Sequence, residues 1–185
     1  MRESYQNRPC GRGLAKMAVA VVLLFSSWAM IGLAGTATAD SAQGPTDEPG
    51  VYRILNLESG TSLRTYTPGR PIFVASTREH PGPFELWEIT RTQGGFTIKN
   101  VGLSDRGPAA YASARQTGEG EPVIAGGEPT TWSIEPAGDD TYVIKAPNED
   151  LLWNAEPPVI PRGDVRLRGA DGSETQRWRF EPVND

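Results

Sequence analysis

The sequence predicts an all-β protein of twelve strands, built as three pseudo-repeats of about 45 residues. Two recurrences and one absence predict it. Trp87-Glu88-Ile89 returns as Trp132-Ser133-Ile134 and again as Trp178-Arg179-Phe180, at intervals of 45 and 46 residues. An alternating Tyr52-x-Ile54 pattern returns as Phe96-x-Ile98 and Tyr142-x-Ile144, at intervals of 44 and 46. After Ala39 no stretch shows convincing helical periodicity, and with 21 glycines and 16 prolines long helices would be costly.

The elements follow in order. Each unit opens on the Tyr/Phe-x-Ile strand and closes on the Trp strand, with two short strands between them, set apart by Gly and Pro punctuation. In unit one these are Ser62 to Tyr66 and Ile72 to Ser76; in unit two, Ala109 to Ser113 and Pro122 to Ala125; in unit three, Leu151 to Ala155 and Asp164 to Arg168. Such units predict a β-trefoil: the first and fourth strands of each unit close a barrel, and the middle strands form three capping hairpins. Closure removes exposed sheet edges. Trp87, Trp132 and Trp178 are then equivalent core residues beside Ile54, Ile98 and Ile144, because an alternating pattern puts both side chains on one buried face. A sandwich has similar strand spacing, but near-equal repeats favour threefold symmetry.

Residues 1–39 read as a signal peptide. Arg2, Arg8, Arg12 and Lys16 precede an apolar run from Met17 to Ala34, and Ala37-Thr38-Ala39 has the small-x-small form of a cleavage site. The alternative is an uncleaved anchor, since the run approaches the roughly 18 residues that span a bilayer. Residues 40–49, with Gly44-Pro45 and Pro49-Gly50, read as a disordered tether, and residues 50–185 as the trefoil domain. The expectation is a secreted monomer without stable membrane association after cleavage.

Without the leader the chain carries 14 basic and 22 acidic residues, a formal charge of −8. That balance argues against a nucleic-acid partner, whose affinity comes largely from Lys and Arg. Cys10 is the only cysteine and lies in the leader, and His80 is the only histidine. An internal disulfide, a thiol nucleophile and a His/Cys zinc site are therefore excluded, and no metal or cofactor is expected. There is no Gly-x-Ser-x-Gly elbow, no phosphate loop and no histidine placed beside a serine, so the chain does not read as an enzyme.

Function is expected in the loops, which differ between units. Thr67-Pro68-Gly69-Arg70-Pro71 joins the second and third strands of unit one, with two prolines limiting its freedom and Arg70 near its tip. Such a loop suits a protease pocket carrying a buried carboxylate, because pre-ordering lowers the entropic cost of binding; a tight turn with a solvated arginine is the plainer reading. The chain from Gly50 to Val183 resembles the fungal, cospin-like β-trefoil serine protease inhibitors. The resemblance lies in Gly50-Val51-Tyr52-Arg53-Ile54-Leu55-Asn56, in Gly95-Phe96-Thr97-Ile98-Lys99-Asn100, and in Trp132-Ser133-Ile134-Glu135-Pro136 with Tyr142-Val143-Ile144. It implies inhibition of a trypsin-like serine protease through an arginine between the second and third strands, which places Pro68, Gly69, Arg70 and Pro71 in the protease-binding loop. Pro71 departs from a substrate-like loop, since it lacks an N–H and has a fixed φ. Arg106, in Arg106-Gly107-Pro108, and Arg162, in Arg162-Gly163-Asp164, are the secondary candidates. The latter triplet also matches the integrin-ligand tripeptide, too short a match to carry weight.

The rival function is carbohydrate binding. Gln176-Arg177-Trp178 matches the Gln-x-Trp signature of ricin-type lectin trefoils, in which several units are expected to carry it with an acid and an aromatic that hold the sugar. Units one and two have Glu85-Leu86-Trp87 and Thr130-Thr131-Trp132 instead.

Overall fold

A computed structural model of the 185-residue chain describes residues 45, 48–77, 80–147, 150–157 and 161–183. The expected signal peptide lies outside these residues, and so does the expected tether except for Pro45, Glu48 and Pro49. Twelve strands are present: β1 (Gly50–Asn56), β2 (Ser62–Arg64), β3 (Phe73–Ala75), β4 (Leu86–Thr92), β5 (Gly95–Asn100), β6 (Tyr111–Ser113), β7 (Ile124–Gly126), β8 (Ser133–Gly138), β9 (Thr141–Lys145), β10 (Leu151–Ala155), β11 (Arg162–Gly169) and β12 (Trp178–Pro182).

They form a β-trefoil. The outer strands of the units pair in the cycle β1–β4–β5–β8–β9–β12, and β12 closes on β1 over five residue pairs, Tyr52↔Pro182 to Asn56↔Trp178. The hairpins β2–β3, β6–β7 and β10–β11 are the caps. β1 and β5 bury the alternating pair their sequence announces, Tyr52 with Ile54 and Phe96 with Ile98, while in β9 Ile144 is buried and Tyr142 half-buried. At the junction of β5 and β8, Gly95 has φ 147°, and a Cβ there would run into the Trp132 carbonyl.

Two sets of hydrogen bonds fix the threefold symmetry. The indole Nε1 of Trp87, Trp132 and Trp178 donates to the carbonyls of Leu63, Ala112 and Trp153, at 3.0, 2.9 and 3.2 Å. On the pseudo-axis, backbone N–H groups donate in a ring, Ile72 to Val123 at 2.9 Å, Val123 to Val165 at 3.0 Å and Val165 to Ile72 at 3.0 Å. All six of these donor residues are fully buried. The tryptophans are core pillars, and their indole N–H groups are satisfied inside the barrel.

All six middle strands lie where the sequence places them, but only β10 keeps the expected bounds: β2, β3 and β6 are shorter, β7 is shifted to Ile124–Gly126, and β11 is longer, reaching back to Arg162. The absence of helical periodicity concealed three single turns: α1 (Val101–Ser104) and the 3₁₀ turns Pro83–Glu85 and Glu174–Gln176. One turn is too short to show a period, and these are held from outside. The Asn100 side chain accepts from Leu103 N at 3.0 Å, capping α1, while its Nδ2 donates to the Phe84 carbonyl at 3.0 Å. Asn56, equivalent to Asn100 in the repeat, likewise donates to the Thr175 carbonyl at 2.9 Å. Unit three has Ala146 at this place, and unit two, which would receive its bond, has no 3₁₀ turn. Among the described residues no helix is long and apolar enough to cross a membrane.

Candidate functional site

The symmetry identifies which surface positions correspond. Three residues beyond Leu63, Ala112 and Trp153 stand Tyr66, Arg115 and Glu156; one beyond Ile72, Val123 and Val165 stand Phe73, Ile124 and Arg166; three before Trp87, Trp132 and Trp178 stand Phe84, Pro129 and Thr175. The same framework therefore presents an aromatic site in unit one, a mainly apolar recess in unit two and a polar network in unit three.

In unit one, Tyr66 is 49% exposed and is the one exposed large hydrophobic side chain among the described residues. It is not loose. Its ring centroid lies 5.7 Å from Phe73 and 5.3 Å from Phe84, the latter in an edge-on contact. Two guanidinium groups flank the cluster, with Arg106 Cζ 4.7 Å from the Phe84 centroid and Arg162 Cζ 3.8 Å from that of Phe73. Below it lies a buried ion pair. Glu85 Oε2 accepts from Ser62 Oγ at 2.8 Å and meets Arg64 Nη2 at 3.2 Å, with both charged side chains about 5% exposed or less. Arg64 also donates to the Ser76 carbonyl. The hairpin that carries Tyr66 is thus tied to the turn that carries Phe84.

In unit two, Arg115, Ile124 and Pro129 line a recess of about 490 Å³ whose far wall is Pro68 and Gly69 from unit one. Thr130 Oγ1 accepts from Ala114 N at 3.0 Å. In unit three, Arg168 binds Glu156 through two contacts of 2.7 and 3.1 Å and reaches Glu119 at 3.4 Å. This bidentate hydrogen bonding from Arg168 holds the Glu156 carboxyl below its ordinary range. Asn154 donates to Glu156 and accepts from Thr175 Oγ1 at 2.8 Å. Gln176, the glutamine of the Gln-x-Trp triplet, is buried; its Nε2 donates to the Gly169 carbonyl at 2.8 Å and its Oε1 accepts from Asp171 N at 3.1 Å. It braces the loop after β11. Among the described residues no group of three or more His, Cys, Asp or Glu side chains is placed to hold a metal ion.

A cyclic pattern joins the sites. Gly69, Gly120 and Arg162 each stand three residues before the axial triad, and each lies at the next unit's site. Gly69 walls the unit-two recess, the Gly120 carbonyl accepts from Arg166 at 2.8 Å, and Arg162 stacks on Phe73. Arg162 and Arg106, distant in sequence, therefore meet the same aromatic cluster. Arg162-Gly163-Asp164 is not a loop tip, since it lies in β11 with Gly163 buried opposite Val74.

The loop Pro68, Gly69, Arg70, Pro71 is elsewhere, between units one and two. Arg70 is exposed, as the sequence implies. Its backbone is engaged: Gly69 N donates to the Ala125 carbonyl at 2.7 Å, the Arg70 carbonyl accepts from Ala125 N at 2.9 Å, and Pro71 bridges Ile124. A loop that fills a protease cleft as substrate does must offer those main-chain groups to the enzyme.

No protein-family model matches the chain, and neither does any curated protein sequence. Solved structures do match. The Macrolepiota procera ricin B-like lectin in complex with lactose superposes with a TM-score of 0.64 at 18% identity, covering 74% of this chain and 97% of that one. The Rhizoctonia solani agglutinin gives 0.63 at 19%, covering 74% and 96%. SeviL bound to asialo-GM1 saccharide gives 0.55 at 15%, covering 74% and all of that chain. At these identities the likeness establishes the β-trefoil fold. It also corrects the expectation of a trypsin-like serine protease inhibitor with a serine protease as partner. The three structures named are a lectin, an agglutinin and a saccharide-bound protein rather than protease inhibitors, and the loop expected to enter the protease already spends its backbone hydrogen bonds on β7.

The aromatic site was missed in the sequence. Tyr66 and Phe73 sit at the end of one expected strand and inside another, and Phe84 precedes the Trp strand without a pattern of its own. The available signal was that none of the three has an aromatic counterpart in the other units.

Proposed function

We propose that this chain is a carbohydrate-binding β-trefoil whose saccharide site is the aromatic cluster of unit one. The observation that carries the reading is the exposed Tyr66 ring, fixed by Phe73 and Phe84 and flanked by two arginines. A pyranose has one face of C–H groups and a rim of hydroxyls. The C–H face stacks on an aromatic ring, and the rim needs donors and acceptors beside that ring. Because Tyr66 is already held, little conformational entropy is lost on binding. The similarity to lactose- and saccharide-bound trefoils supports this reading.

The test is a glycan array probed with the full chain and with Tyr66→Ala. The wild type is expected to retain at least one saccharide, and the variant to bind it about tenfold more weakly, about 1.4 kcal/mol. Retention that Tyr66→Ala leaves intact moves the site to another unit. No retained saccharide rejects the reading.

A further inference from the structure

We propose that the unit-one site takes an anionic saccharide, a pyranose bearing a carboxylate, with Arg106 as the main reader of the acid group and Arg162 as its second; this rests on the carbohydrate reading above. Arg106 comes from the loop after α1, and Arg162 enters from unit three at the start of β11. Each is stacked on a different member of the cluster, at 4.7 and 3.8 Å. A guanidinium over an aromatic ring need not spend its N–H donors there, and those donors are the fork that binds a carboxylate with two hydrogen bonds.

The charge accounting separates the two arginines. Arg162 is half exposed and shares Asp164 Oδ1 through contacts of 3.3 and 3.1 Å. Arg106 is exposed and, among the described residues, its guanidinium makes no hydrogen bond or ion pair beyond its contact with the Phe84 ring. Unit three provides the internal comparison. There Arg168 stands at the polar site and is met by both Glu156 and Glu119, so its donors are closed to a ligand. No carboxylate among the described residues closes Arg106 in that way. A neutral sugar would need neither stacked cation, and the positions equivalent to Arg162 in the other units are glycines. The formal charge of −5 over the whole chain opposes a densely sulfated polymer, whose field extends past the local arginines. One carboxylate per sugar suits the site.

Calorimetric titration of the full chain with trigalacturonate, its methyl ester and a sulfated galactan tests this, together with Arg106→Gln, Arg162→Gln and Tyr66→Ala. Circular dichroism confirms that these surface variants are folded. The acid is expected to bind at least tenfold tighter than the ester at about 0.1 M salt, with the preference falling as salt rises. Arg106→Gln should bring the affinity for the acid down to about that for the ester, erasing the preference; Arg162→Gln should reduce it by a smaller factor; Tyr66→Ala should weaken both ligands. Equal affinity for acid and ester, with Tyr66→Ala weakening both, overturns the anionic assignment and leaves the carbohydrate reading standing. Tighter binding of the sulfated galactan than of trigalacturonate also overturns it. If neither trigalacturonate nor its ester binds, the assignment to uronates falls, and the glycan array decides the reading beneath it.

Discussion

At the residue scale, the position two residues before each pillar tryptophan shows how one place in the fold acquires different chemistry. Glu85, Thr130 and Gln176 are equivalent, and each secures its own unit differently: by a buried ion pair, by a single hydroxyl acceptor and by a side-chain amide bridge. Removing one partner of a buried pair leaves an uncompensated charge, so Arg64→Met is expected to cost about 3–5 kcal/mol in urea unfolding. The double variant Arg64→Met/Glu85→Leu should be the more stable of the two, and the reverse order would contradict the role of the pair. Glu156 gives a pH test. Its carboxyl is held below the ordinary glutamate value of 4.5, first by the hydrogen bond from Arg168. With the folded value below the unfolded one, the bridge stabilises the protein above pH 4.5 and loses that contribution as pH falls through the depressed value. Glu156→Gln should therefore melt below the wild type at pH 7, with the gap closing as the pH drops well under 4.5. A gap independent of pH would count against the bridge.

At the element scale, the strands were legible because their burial repeats: Trp-x-Ile and Tyr-x-Ile alternate over a core that recurs three times. The single turns and the site they carry were not, because their determinants lie in other units. Asn100 of unit two positions the 3₁₀ turn of unit one through the Phe84 carbonyl, and Tyr66, Phe73 and Phe84 meet only after the β2–β3 hairpin and that turn are formed. The Thr67–Pro71 loop was read correctly as exposed, but its partner Ala125 belongs to the next unit, and no local pattern reveals such pairing. Gly102 adds a steric condition, since a Cβ there would come within 2.8 Å of Phe84 N. Asn100→Ala, which removes the α1 cap and the bond to Phe84, should cost about 1–2 kcal/mol of stability. It should also weaken saccharide binding by the wild-type ligand, although Asn100 is buried. Full affinity in a destabilised Asn100→Ala would mean that the turn does not position the site.

At the scale of the whole molecule, threefold closure and loss of symmetry serve different ends. The ring of bonds through Ile72, Val123 and Val165 requires all three units, and the β1–β12 pairing closes the barrel, so the scaffold is shared equally. The surface is not. Equivalent places hold Tyr66, Phe73 and Phe84 in one unit, a mainly apolar recess in the next, and in the third Glu156 bridged to Arg168. The most direct measurement is amide and side-chain chemical-shift mapping of the labelled full chain as the saccharide selected on the array is titrated in. Shifts concentrated at Tyr66, Phe73, Phe84 and Arg106, with the recess around Ile124 and the network around Arg168 unmoved, are the predicted result; shifts centred on either of those two sites, or on Arg70, would contradict it.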